Sequence, residues 1–142
     1  VVKTMKKAIF LRLAMALALL LTVNVNVMGD TLRKGGSIVG KIESNGDVRL
    51  NGSIVGRFES NGDIRVGGSI EGRIEKNGDI RKRGSIIGRV ESNNDIRING
   101  SIVGRVEKNG DIRYKGSIIG RAEQMTDVRR VAVMYFFGFF NM

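Results

Sequence analysis

The chain has 142 residues, a formal net charge of +10, and no cysteine, histidine or proline. That length suits a single domain. The missing residue types exclude disulfides, thiolate and imidazole metal sites and the commonest nucleophilic and acid–base side chains, and they leave every sharp reversal to Gly, Asn or Asp.

The N-terminal part is expected to be a leader. Met5-Lys6-Lys7 opens a basic stretch, and "LAMALALLLTV", Leu13 to Val23, is a short apolar run. A polar stretch then leads to "VMGD". Basic start, apolar core and small residues before a cut define a secretory signal peptide. Residues 1–29 are assigned to it, with Val27 and Gly29 as the small residues of the cleavage site. Val1 to Thr4 read as sequence upstream of the true start. A transmembrane anchor would need about 20 apolar residues, and Arg12 interrupts the run on its N-terminal side. Removing residues 1–29 takes away four cations and no acid, leaving about +6. The remaining charge is spread evenly through the chain. It serves solubility and also favours anionic surfaces by long-range attraction.

Residues 30–130 are expected to form the folded domain. Units of sixteen residues begin at Gly36, Gly52, Gly68, Gly84, Gly100 and Gly116. Their pattern is G-S-I-x-G-[KR]-apolar-E-[SK]-N-[GN]-D-[IV]-R-x-x. A fixed short period means that units stack or pair with one another. Alternating Ile, Val and Phe bounded by Asn-Gly predict strands, and the 3.6-residue spacing of a helix is missing.

The turn type follows from the faces. In the second unit a two-residue turn at Asn61-Gly62 would set Phe58 against Arg65 and mix oil with charge on both faces. A three-residue loop, Ser60-Asn61-Gly62, sets Phe58 against Ile64 and Arg57 against Arg65. One face is then Ile54, Gly56, Phe58, Ile64 and Val66, and the other is Arg57, Glu59, Asp63 and Arg65. Register follows that separation, and a type I turn with a left-handed glycine is the usual three-residue hairpin. Asn94, in the glycine position of the fourth unit, tolerates φ > 0 next best. The second reversal, as at Asn51-Gly52-Ser53, is equally short. Glycine inside the first strand of each unit (Gly40, Gly56, Gly72, Gly88, Gly104, Gly120) marks a bend or a close approach.

The ends predict closure. "TLRKGG", residues 31–36, aligns with the second half of a unit, and "GSIIGRAE", Gly116 to Glu123, is a first half. Five full hairpins and two complementary halves make six, with residues 31–34 pairing against 118–123 around a centre lined by Ile38, Ile42, Val48 and their repeats. Closure removes both sheet edges. The fold class is therefore all-β, a closed ring or shallow barrel of about six β-hairpins; the alternative is a β-helix.

The recurring Glu, Asp and Arg side chains are read as a solvated strand face with diagonal ion pairs, each adding about 0.2–1 kcal/mol. Catalysis would need carboxylates in different environments, and the spacing lacks the dense oxygen ligands of a calcium loop. Few aromatics lie within the repeats for stacking on bases, which disfavours nucleic acid. No catalytic, cofactor-binding or metal-binding residue is assigned. The third unit is the most individual: Glu71 replaces an aliphatic residue, and Arg81, Lys82 and Arg83 form a candidate contact for an anionic envelope or glycan surface.

Residues 131–142 are set apart as an apolar tail. "VAVMYFFGFFNM" holds four of the six phenylalanines and no charged side chain, and it is too short to span a bilayer as a helix. Tyr135, Phe136, Phe137, Phe139 and Phe140 are expected to plug the apolar centre. The alternatives are a membrane-inserting tail and an intersubunit strand.

The leader, the repeat exemplified by "TLRKGGSIVGKIESNGDVR" and the Phe-rich tail after "VAV" together resemble the five-fold β-flower proteins, small exported bacterial proteins. The resemblance covers nearly the whole chain. It implies a ring of hairpin petals around an apolar centre and a family with no established activity, although six units depart from five-fold symmetry. Bactofilins, cytoplasmic polymers with a β-helix, share the G-x-I-x-G pattern but lack an Asn-Gly hairpin in every unit. The expected function is that of an exported, periplasmic or extracellular, non-catalytic structural or ligand-binding module. The alternative is a cell-envelope polymer or a protein associated with a membrane or other anionic surface. The mature form is expected to have no transmembrane span.

Overall fold

A computed structural model describes residues 29–142; the leader assigned to residues 1–29 lies outside them except for Gly29. Twelve antiparallel strands follow one another around a closed barrel. They are β1 (Asp30–Lys34), β2 (Ser37–Ile42), β3 (Asp47–Leu50), β4 (Ser53–Phe58), β5 (Asp63–Val66), β6 (Ser69–Ile74), β7 (Asp79–Lys82), β8 (Ser85–Val90), β9 (Asp95–Ile98), β10 (Ser101–Val106), β11 (Asp111–Tyr114) and β12 (Ser117–Ala122). A helix, α1 (Val128–Phe136), comes last. The ring closes where β1 meets β12, with Leu32 opposite Ala122 and Lys34 opposite Gly120. Each half-unit at a chain end thus supplies the partner the other lacks. Six hairpins result, in a closed barrel and not a β-helix.

One end of the barrel carries the three-residue loops. Phe58 lies opposite Ile64 and Arg57 opposite Arg65, the register that segregates oil from charge. Gly62 N–H donates to the Glu59 carbonyl at 3.1 Å, and its φ of +100° closes the loop. The Asn before it has a second task that its place in a turn conceals. Asn61 Oδ1 accepts from Asp63 N at 3.0 Å, and the same bond recurs at Asn45, Asn77, Asn93 and Asn109. An Asn side chain bonding its own backbone two residues on pre-forms the turn.

The opposite end carries tighter reversals than expected. Leu50 pairs directly with Ser53, so the turn is Asn51-Gly52 alone. Both residues have positive φ, +51° and +83°, as a type I′ hairpin turn requires. Its twist matches that of the strands.

A β-bulge follows each of these turns and corrects the expected facing of one residue. Arg49 pairs with Ile54 and Val48 with Gly56, so Val55 is the extra residue. A bulge shifts the alternation by one. Ile54 therefore shares the outer face with Arg49 and does not line the centre. Ile38 and its repeats were expected inside; all six stand 53–61 % exposed. The inner wall is instead Leu32, Ile42, Val48, Phe58, Ile64, Ile80, Val90, Ile96, Val106, Ile112 and Ala122, all buried.

The last strand ends at Ala122. Glu123 N–H still joins the ladder, donating to the Thr31 carbonyl at 3.0 Å. Buried Asp30 receives Gln124 N–H on Oδ1 at 2.9 Å. The chain then turns inward. Asp127 caps α1 by accepting from the Arg129 and Arg130 amides, the favoured role of Asp at a helix start.

Candidate functional site

The barrel interior is occupied by the chain's own C-terminal segment. Val131, Ala132, Val133 and Met134 of α1 are buried in it, as are Phe137, Phe139 and Phe140 beyond the helix. Tyr135 and Phe136 are half-buried against the same core. The first half of this segment is a helix, which the run of aromatics concealed.

The strand glycines are the seats of this plug. A Cβ on Gly120 would lie 2.7 Å from Cε1 of Tyr135, and one on Gly104 would lie 2.6 Å from Cε1 of Phe136. Phe137, Phe139 and Phe140 come within 2.5 Å of the corresponding points on Gly88, Gly72 and Gly56. One aromatic ring thus sits on each of five hairpins, in reverse chain order. Gly138, with φ of +68°, makes the step that lets the run continue round the ring. The sixth seat, Gly40, is taken by Leu50 Cδ2 at 2.6 Å from the same construction. Of the two meanings of a strand glycine, close approach is therefore present at all six. The cue was available in the sequence: five rings at the end of the chain and a glycine in every unit.

Polar groups hold the plug at both ends. Tyr135 Oη donates to the Arg33 carbonyl at 2.6 Å, near the closing seam. Burial pushes the Tyr135 phenol up to about 12, and the Asp30 carboxylate adds to the shift. Lys82 Nζ lies 5.1 Å from the Phe139 ring centre and donates to the Gly138 carbonyl at 3.3 Å. Arg129 donates to the Glu75 carbonyl at 3.3 Å, and the Arg130 guanidinium lies 5.6 Å from the Phe58 ring centre.

The charged wall answers why each unit repeats Glu, Asp and Arg. Arg49 donates through Nε to Glu43 at 2.7 Å and through Nη1 to the Gly52 carbonyl at 3.0 Å. Asp47 accepts from Arg57 of the next strand at 3.3 Å. These pairs recur around the ring, and at the seam Arg33 pairs with Glu123. Arg33, Arg49, Arg65, Arg81, Arg97 and Arg113 each tie a loop-end carboxylate to a turn-end carbonyl. The carboxylates are committed to architecture, and among the described residues no three Asp or Glu gather as a metal site.

Arg81, Lys82 and Arg83 each have a partner of their own. Arg81 pairs with Glu75 at 3.3 Å on the outer wall. Lys82 faces the plug, and Arg83, 79 % exposed at its side chain, pairs with Glu71 at 3.1 Å.

These features define a class: a closed β-hairpin ring sealed by its own aromatic tail. No family model matches the chain, and neither the curated proteins nor the solved structures contain a significant match.

Proposed function

We propose that the protein is an exported, non-catalytic binding or structural module whose working surface is its exterior. One observation carries this reading: the tail from Val131 to Phe140 fills the barrel, leaving the outer wall and the two rims to meet a partner. The repeated ion pairs support a rigid scaffold better than a reaction centre, because equivalent carboxylates in equivalent settings do not divide acid and base roles. The likeness to β-flower proteins points the same way through its hairpin ring, although the six-fold count departs from that family.

The test is a binding panel of anionic lipids and anionic glycans, run with wild type and with Arg81, Lys82 and Arg83 changed to Ser. Specific binding by wild type supports a binding module, and its loss in the variant places the contact in the third unit. Ordered multimers without binding support a structural role. Turnover of a substrate by the pure protein overturns the reading. Export is checked separately: the N-terminal sequence of the secreted form should begin at or near Asp30.

A further inference from the structure

The two rims of the barrel differ in kind. Of the fourteen acidic residues, Glu43, Asp47 and their repeats belong to the half that bears the three-residue loops. Asp30, Glu123 and Asp127 lie at that same end, and Glu71 alone belongs to the half with the two-residue turns. The turn rim instead carries Lys34, Lys82, Arg83 and Lys115, and the Nη1 groups of Arg33, Arg49, Arg65, Arg81, Arg97 and Arg113 reach its turn carbonyls.

The same rim is girdled by oil. Ile38, Ile54, Ile70, Ile86, Ile102 and Ile118 are each 53–61 % exposed, and Tyr114 is 41 % exposed. Each Ile is the second residue after its two-residue turn, as Ile54 is after Asn51-Gly52. At about 3.4 Å per residue that sets the girdle roughly 7 Å from the rim. Six large aliphatic side chains recur at equivalent exposed positions, each beside the arginine it pairs with, as Ile54 is beside Arg49, and apolar surface repeated in this way among polar groups marks an interaction site.

A backbone irregularity points to the same rim. The first residue of a type I′ turn needs φ > 0, which Asn and Gly tolerate. Gly35, Asn51, Gly67 and Asn99 obey this rule. Arg83 and Lys115 break it, with φ of +49° and +48°. A side chain held in a disfavoured conformation at an exposed turn suggests a use for that side chain. Both are cations, and both are on the rim with the isoleucines.

Building on the reading of the exterior as the working surface, we propose that the turn rim docks onto an anionic phospholipid bilayer. The isoleucine girdle enters the headgroup boundary while the cations meet the lipid charges. An interfacial element buries its apolar face about 5–10 Å deep, which matches the depth of the girdle. Tyr suits such a boundary by being apolar in body and polar at its tip. The protein rests on the bilayer and does not cross it: its strands have 4–6 residues, against about 9–11 for a spanning strand. A second copy fits the rim poorly, because two basic rims would face each other.

The test is flotation with vesicles of neutral phosphatidylcholine alone and of phosphatidylcholine with phosphatidylglycerol. The full chain and the chain from Gly29 are measured side by side, so that the apolar run at Leu13 to Val23 does not account for binding. Binding is expected only to the anionic vesicles, and it should weaken in high salt. Arg83→Asn with Lys115→Asn suits both turns and should weaken binding about ten- to thirty-fold, two cations' worth near a membrane surface. Ile70→Thr with Ile86→Thr and Ile102→Thr keeps β-branched residues in the strands and should weaken it at least about ten-fold. Lys76→Gln with Lys108→Gln, at the far loops, should leave it unchanged. Cooperative thermal unfolding confirms that each variant is folded. Absence of binding to the anionic vesicles overturns the proposal, as does binding indifferent to the rim variants. A dimer that the Ile variants dissociate also overturns it and makes the girdle a self-interface. Glycan binding with no vesicle binding removes the bilayer and leaves the scaffold reading standing.

Discussion

At the scale of single residues, the least tolerant positions are the strand glycines beneath the rings. On Gly88 a methyl group would meet both the Arg97 carbonyl and Phe137 Cε1. Neither has room to give, because one belongs to the ladder and the other to the plug. Gly88→Ala should therefore destabilise by about 1–3 kcal/mol, the usual cost of overpacking. Phe137→Ala should cost about 3–5 kcal/mol by emptying the seat. Chemical denaturation of both variants would measure these losses, and a neutral Gly88→Ala would deny the seat. Tyr135 adds a pH-dependent contribution. Its phenol titrates near 12 in the folded chain against an ordinary 10, so the folded state favours the protonated form. The stability linked to this proton is complete below pH 10 and is lost as pH rises toward 12. At pH 8, Tyr135→Phe should cost about 0.5–1.5 kcal/mol through the lost bond to the Arg33 carbonyl. That gap between wild type and variant should narrow from pH 10 to pH 11 in paired denaturation curves. A gap that stays constant or widens would contradict the shift.

At the scale of the element, the hairpin is where the sequence was most legible. Oil and charge segregate in only one register, so Phe58 opposite Ile64 followed from pattern alone. So did closure, because the half-units at Thr31 and Gly116 are visibly complementary. Other features resisted for physical reasons. The bulge at Val55 turns on backbone geometry beside a type I′ turn, and strict alternation hides it; this is why the Ile38 series was expected inside. Helix α1 was hidden because its residues, "VRRVAVMYF", bury a tail in a cavity that exists only after the ring closes. The rim site was least legible, since it depends on six isoleucines whose outward facing the bulge decides. The loop end offers a direct test of turn chemistry. Asn94 takes φ of +73° where the other complete hairpins use glycine, and its N–H donates to the Glu91 carbonyl at 2.9 Å. Asn94→Ala should lose about 1 kcal/mol, because an ordinary side chain is disfavoured in this conformation by about that much. Asn94→Gly should be neutral or mildly stabilising. Thermal midpoints of the two variants would check this, and equal midpoints for Ala and Gly would contradict the assigned turn.

At the scale of the molecule, the ring and its plug are one cooperative object. Closure leaves the barrel without a free strand edge, but a closed sheet does not by itself fill its interior. The inner wall presents Val48, Ile64, Ile80, Ile96 and Ile112, none with measurable exposure, and they are dry because α1 and the aromatic run cover them. Phe137, Phe139 and Phe140 alone, at about 3–5 kcal/mol each, match the whole stability of a typical domain, about 5–15 kcal/mol. The ring should therefore not persist without its tail. A chain ending at Thr126 keeps all twelve strands and loses only the plug. It should unfold without a cooperative transition and should bind a dye that reports exposed apolar surface. Because the seats are built by the ring and the rings by the tail, the two parts should also recognise each other when separated. A peptide spanning Asp127 to Met142, added during refolding, should restore a cooperative thermal transition and suppress dye binding. The same peptide with Phe137 and Phe139 changed to Ala should fail to do so. A truncated chain that melts cooperatively within a few degrees of wild type would show that the barrel supports itself. A peptide that restores the transition regardless of its aromatic residues would show that the glycine seats do not govern the fit.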